Sequence, residues 1–96
     1  FKIGMKIHLV NGSFTDGYII NVYPHTLEFV ADNYMNTNSI NKAFVELVDD
    51  TPRKIKRYYI GSVGYVYCVE NTNSIDFIDN LIITKNYELL EICNVE

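Results

Sequence analysis

The stretch richest in chemistry is RKIKRYY, residues 53–59, where Arg53, Lys54, Lys56 and Arg57 are interleaved with Tyr58 and Tyr59. Cationic side chains beside exposed rings can hold phosphates and stack on bases, so Arg53, Lys54, Lys56, Arg57 and Tyr59 are candidates for nucleic-acid contact. The competing reading is a solvated connection of alternating exposed charge, and the nearby Asp49 and Asp50 favour it. Phe14, Tyr18, Tyr23 and Tyr34 are candidates for an aromatic cage around a methylated cation. Against a cage, Trp is absent, and Phe14 and Tyr18 stand at even spacing on one predicted strand, as core-facing residues would. His8, Ser13 and Asp16 are close in sequence, but no nucleophile elbow or oxyanion hole accompanies them. No phosphate loop or dinucleotide fingerprint occurs, and His8 and His25 lack further ligands at metal-binding spacing. Cys68 and Cys93 form no CxxC pair and read as small apolar residues. The expectation is a non-catalytic protein with no metal and no cofactor.

These side chains must be carried by one modest domain, since 96 residues bury only a small core. The formal net charge of −4 gives no broad positive field, so any RNA contact would be local. No apolar run approaches the roughly 18 residues of a membrane span. The expected setting is therefore intracellular, cytoplasmic or nuclear, with no membrane contact. The NGS triplet at Asn11 then reads as a turn rather than a glycosylation acceptor.

Eight Tyr, five Phe and many Ile and Val fit pleated, half-buried surfaces, so the predicted class is mainly all-β. Residues 5–10 alternate, with Met5, Ile7 and Leu9 on one face, and Asn11 and Gly12 suit a tight reversal. Residues 14–23 resume as a strand in which Gly17 predicts a bulge or sharp bend. After Pro24, residues 26–31 give a third strand. The polar, Asn-rich residues 32–42 read as a loop. Ile40, Phe44 and Leu47 have helical spacing, whereas Ala43, Val45 and Leu47 alternate as a strand; the strand is preferred, because residues 49–54 then form a hairpin connection into residues 55–60. Residues 65–69 form a further strand. The tail, residues 74–96, is either a helix capped at Ser74 with Ile75, Ile78 and Ile82 on one face, or a hairpin turning at Lys85 and Asn86.

Gly4, then Met5, Ile7 and Leu9, then Asn11 and Gly12, Phe14, and Gly17 followed by Ile19 resembles the first motif of the Sm and LSm proteins, with the same spacing of five from turn Gly12 to strand Gly17. The segment IKRYYIGSVGYVYCV, residues 55–69, resembles the second motif. The resemblance implies a strongly bent five-stranded Sm-like (SH3-like) barrel over residues 1–70, with residues 71–96 as an extension that packs on it or offers a partner surface. It also implies how RNA is read, by an Asp at the turn between the second and third strands, an Asn beyond it, and an Arg before the second-motif glycine. Those places hold Pro24, Glu28 and Ile60 here. A proline donates no hydrogen bond and a glutamate repels phosphate, so uridine reading is expected to be lost.

Sm-like barrels without the RNA residues resemble the Gemin proteins of the survival-of-motor-neuron complex and the Sm-like domain of the enhancer of mRNA decapping. The implied function is a scaffold for protein contacts in spliceosomal ribonucleoprotein assembly or RNA metabolism, as a homo- or hetero-oligomer. In the family the last strand of one barrel pairs with the fourth strand of the next, an addition held by backbone hydrogen bonds. The expected edges are residues 56–60 and 65–69, with Lys56, Tyr58, Ile60, Tyr65, Val66, Tyr67 and Val69 at the interface, and Val66→Pro is expected to abolish association. Three other readings stand beside it. They are an RNA-binding LSm ring subunit, a Tudor-like methyl reader (residues 29–37 faintly resemble the Tudor signature) and a phage-encoded inhibitor or nucleotide sponge.

Overall fold

The alternation at the start of the chain becomes the floor of a core. In the computed structural model, which describes residues 1–10, 16–31 and 34–95, Met5, Ile7 and Leu9 are all buried, and they lie on or beside β1 (Lys6–Leu9). β2 (Asp16–Val22) and β3 (Thr26–Ala31) follow as predicted and pair antiparallel. The predicted turn at Asn11 and Gly12, and Phe14, lie outside the described residues. Gly17 is not the bulge; the register shift falls between Ile19 and Asn21. What Gly17 provides is room, because a Cβ there would lie 2.7 Å from the Phe29 ring and 2.9 Å from the Val30 carbonyl.

The predicted loop over residues 32–42 contains a strand, β4 (Thr37–Asn41), paired with β3. Its sequence, TNSIN, has no apolar alternation, and it is held by backbone pairing at a sheet edge. A single 3-10 turn (Lys42–Phe44), its start capped by the Asn41 side chain accepting the Ala43 N–H at 2.9 Å, leads into β5 (Val45–Asp49). β5 is the preferred strand, but the hairpin expected after it does not form. β5 pairs with β1, giving a five-stranded sheet in the order β4-β3-β2-β1-β5.

β6 (Ile55–Ile60) and β7 (Gly64–Val69) belong to a second sheet, whose third strand is β8 (Leu89–Val95), in the order β7-β6-β8. The two sheets do not close into a barrel, and the five-stranded one ends at Asp49, not near residue 70. The reason lies in the burial of β6 and β7. Ile55 and Ile60 are both fully buried yet lie on opposite faces of β6, as do Val69 and Val66 on β7. A barrel strand has one inner face; these two strands need a layer on each side.

The first layer is the five-stranded sheet, which meets them through Tyr18, Ile20, Val30, Ile55, Tyr67 and Val69. The second is α1 (Ser74–Asp79), continued by a π turn (Asn80–Thr84), so the tail is helix first and strand afterwards. Ile78 and Leu81 pack on Ile60 and Val66 with Phe77 and Ile82 alongside; Ile75, expected on the inward stripe, is exposed instead. Ser74 is not the cap residue, a place taken by Asn73. A third cluster, Met5, Ile7, Leu9, Ile19, Leu27 and Phe29, is drawn from the five-stranded sheet and the residue that leads into β1.

The link between the sheets is tied at three points. The Asp49 carboxylate accepts the Thr51 N–H at 2.9 Å and the Arg53 guanidinium at 2.7 Å, and the two together hold its pKa below the usual carboxylate value. The Arg53 N–H donates to the Gly4 carbonyl at 3.1 Å. Gly4 has φ of 90°, and a Cβ there would lie 1.9 Å from the Arg53 carbonyl oxygen, so only glycine fits this crossing.

Candidate interaction edges

The residues expected to form a partner edge are placed differently from expectation. β6, which carries Lys56, Tyr58 and Ile60, is the centre of its sheet and has no free edge. β7, which carries Tyr65, Val66, Tyr67 and Val69, is an outer strand, but the chain itself occupies much of that row. The Tyr67 N–H donates to the Tyr34 carbonyl at 2.8 Å and the Val69 N–H to the Ser74 hydroxyl at 2.8 Å. The Val69 carbonyl accepts from Thr72 Oγ1 at 2.6 Å and from Ser74 Oγ at 3.0 Å. Val66 points its backbone the other way, towards Tyr58, and its side chain is fully buried. Val66→Pro would therefore damage the fold and cannot report on association.

The basic cluster is split by strand alternation. Lys54 and Lys56 line a shallow pocket with Tyr58, Cys68, Glu70 and Ile75, on the helix side of the sheet. Arg57 and Tyr59 face the opposite side, where the Arg57 guanidinium lies 4.5 Å from the Tyr65 ring centre and Tyr59 tilts against Tyr65 at 5.0 Å. Arg53 is engaged with Asp49 and lies 5.5 Å from the Tyr18 ring. The cations thus form no single patch that could track a phosphate backbone.

Arg57 also reaches into a cleft of about 240 Å³ between the sheets, which Asn21, Glu28, Tyr67 and Asn94 share. Glu28 stands where the Sm resemblance places a neutral amide. Burial raises the Tyr67 phenol above its ordinary pKa, and the Glu28 charge adds to this while Arg57 opposes it. Arg57 Nη2 is 3.5 Å from Cys93 Sγ, while its Nε is buried without a partner among the described residues.

The aromatic candidates have separate surroundings. Phe14 lies outside the described residues. Tyr18 is buried between the sheets and already faces Lys6 and Arg53. Tyr23 is exposed and its hydroxyl accepts from Asn21 at 2.9 Å. Tyr34, at φ of 58°, tilts against Phe77 at 6.3 Å. His8 Nδ1 is 3.1 Å from Asp16 Oδ1, a surface pair whose other contact is Lys6 at 3.8 Å; Ser13 lies outside the described residues. Among the described residues no three His, Cys, Asp or Glu side chains gather as metal ligands, and no helix is long and apolar enough to cross a membrane.

The open edges are elsewhere. β4 and β5 bound the five-stranded sheet and β8 bounds the three-stranded one. Around β5 the exposed side chains include Phe44, Leu47 and Val48, the last 52% exposed; on β8 they are Leu89, Leu90 and Ile92. Backbone parity shows which groups are free. Val10 donates to the Phe44 carbonyl at 3.0 Å, and His8 pairs with Glu46, so Phe44 and Glu46 turn towards β1 while Val45 and Leu47 turn away from it; the Val45 N–H donates back to the Lys42 carbonyl, which leaves the Val45 C=O and both backbone groups of Leu47 directed outward. An unblocked edge bearing exposed aliphatic side chains is a template for another strand. Its signal in the sequence is weak, because VELVD reads the same whether its partner is β1 or β6. Comparison with protein-family models, curated proteins and solved structures finds no match to this chain.

Proposed function

We propose that this chain is a non-catalytic scaffold of the Sm-like type, binding protein partners by strand addition in ribonucleoprotein assembly or RNA metabolism. The observation that carries the reading is the outer edge of β5, where the backbone groups of Leu47 and the Val45 carbonyl face outward with no partner among the described residues, between the exposed Phe44 and Val48. Sm-like chains associate by pairing the fifth strand of one copy with the fourth of the next. In this chain the fourth and fifth strands are β4 and β5, the two outer edges of one sheet. The cluster of Met5, Ile7, Leu9, Ile19, Leu27 and Phe29 supports a small, open barrel, because that sheet and the residue leading into it supply these side chains and the sheet must curl to bury them. In this reading the Sm-like part is residues 4–49 rather than the expected 1–70, and the second-motif segment, residues 55–69, falls in the added sheet. RNA is not its ligand in this reading, since the cations are divided between two faces and Glu28 adds negative charge.

The test is light scattering after size-exclusion chromatography, on the wild type and Leu47→Pro, with and without oligo-uridine at two salt concentrations. Proline at residue 47 removes an outward N–H and no bond to β1. The expected result is an assembly that loses mass in Leu47→Pro at unchanged circular dichroism, with no uptake of RNA. Salt-sensitive oligo-uridine binding together with a mass indifferent to Leu47→Pro would overturn the proposal.

A further inference from the structure

We propose that β8 is a second, separate interface, where a second copy of this chain adds antiparallel to make a continuous six-stranded sheet. The three-stranded sheet has its open edge there, since Tyr34 and Ser74 already occupy much of the outer row of β7. Glu70 donates to the Lys54 carbonyl at 2.9 Å and Gly61 to the Glu88 carbonyl at 2.8 Å. With the strand registers, these bonds turn the backbone groups of Ile55, Arg57 and Tyr59 towards β8 and engage Glu91, Cys93 and Val95 there. Ile92 and Asn94 must therefore direct their N–H and C=O outward, while Leu90 is the extra residue at the register shift between Tyr59 and Ile60. Leu90 and Ile92 are 51% and 47% exposed on that same edge.

The edge is self-complementary about a two-fold axis through Ile92. In that register Ile92 meets its own copy, and Asn94 stands opposite Leu90 at the bulge. Glu91 is the one charged residue of β8, and it falls opposite Cys93 of the second copy rather than opposite itself. Cys93 is the residue that Arg57 crosses, with Nη2 at 3.5 Å from Sγ, and no carboxylate lies within 4.0 Å of Arg57 among the described residues. Pairing thus extends each cross-strand row as Arg57, Cys93, then Glu91 of the second copy, all on one face. The missing anion of each copy is supplied by the other, twice per dimer, as an isologous interface requires. This charge match selects a second copy over an unrelated strand.

The experiment uses the Leu47→Pro chain, so that β5 contributes nothing, and measures mass by sedimentation over a range of concentrations. A dimer is expected, converted to monomer by Ile92→Pro, which removes an outward N–H and no bond to β6, and weakened at least tenfold by Glu91→Lys. With Cys68→Ser and Cys93→Ser in place, Ile92→Cys is expected to form a disulfide-linked dimer on mild oxidation, because opposed Cα atoms in a bonded pair lie about 5.5 Å apart. Leu90→Cys, opposite Asn94, is expected not to. A monomer at every concentration, a dimer that survives Ile92→Pro, or cross-linking at residue 90 instead of 92 would each overturn the proposal. If assembly depends on Leu47 and is indifferent to the β8 variants, the β5 scaffold stands and this interface does not.

Discussion

Ser74→Ala tests how the helix is fixed to the second sheet. Ser74 is fully buried, and its hydroxyl lies 2.8 Å from the Val69 N–H, 3.0 Å from the Val69 carbonyl and 2.8 Å from Thr72 Oγ1. Alanine leaves the Val69 carbonyl satisfied, because Thr72 still donates to it at 2.6 Å. The Val69 N–H is left buried with no acceptor, since it points away from β6 and Val69 is 1% exposed. A stranded buried donor costs about 1–3 kcal/mol, so a loss near 2 kcal/mol is expected. For a domain this size each kcal/mol lowers Tm by roughly 4–8 °C, which predicts a drop of about 8–16 °C. Urea denaturation is expected to show a lower midpoint at unchanged slope, and hydrogen exchange a faster Val69 amide than in the wild type. A loss under about 0.5 kcal/mol, or an unchanged Val69 amide, would refute the reasoning and mean that water replaces the hydroxyl.

Gly4→Ala is expected to cost about 3 kcal/mol or more, from a left-handed φ combined with overlap on the Arg53 carbonyl, and a urea midpoint close to wild type would contradict the crossing described for it. Ile78→Ala empties a fully buried site between the helix and Ile60 and Val66, and should lower stability by about 2–5 kcal/mol in the same assay. Burial raises the Tyr58 and Tyr67 phenols, so their neutral forms favour the folded state. That contribution is complete below the unfolded value of about 10 and is lost as pH rises through the raised folded values. Tyrosinate absorbance should show two late-titrating groups, and Tyr67→Phe should remove one of them.

Among the strands, those rich in apolar and β-branched residues were legible. Met5, Ile7 and Leu9 alternate because one face of β1 meets the core and the other does not, and Leu27 and Phe29 repeat the pattern in β3. β4 was not legible, since TNSIN owes its conformation to pairing with β3 rather than to side-chain burial. The central position of three interface candidates was not legible for a related reason. Lys56, Tyr58 and Ile60 read as an edge only while β8 is not counted, and β8 joins β6 through pairs as distant as Arg57 with Cys93.

The sequence by itself determined that this is a β-rich chain and where several strands run; local alternation and composition carry that information. Only the tertiary structure decided which strands are neighbours, that residues 49–54 bridge two sheets rather than turn a hairpin, and that the open edges are β4, β5 and β8. Strand pairing is made by backbone groups that every residue carries alike. Partner choice is therefore set by which apolar faces must be covered, and that is settled only when the whole chain is packed.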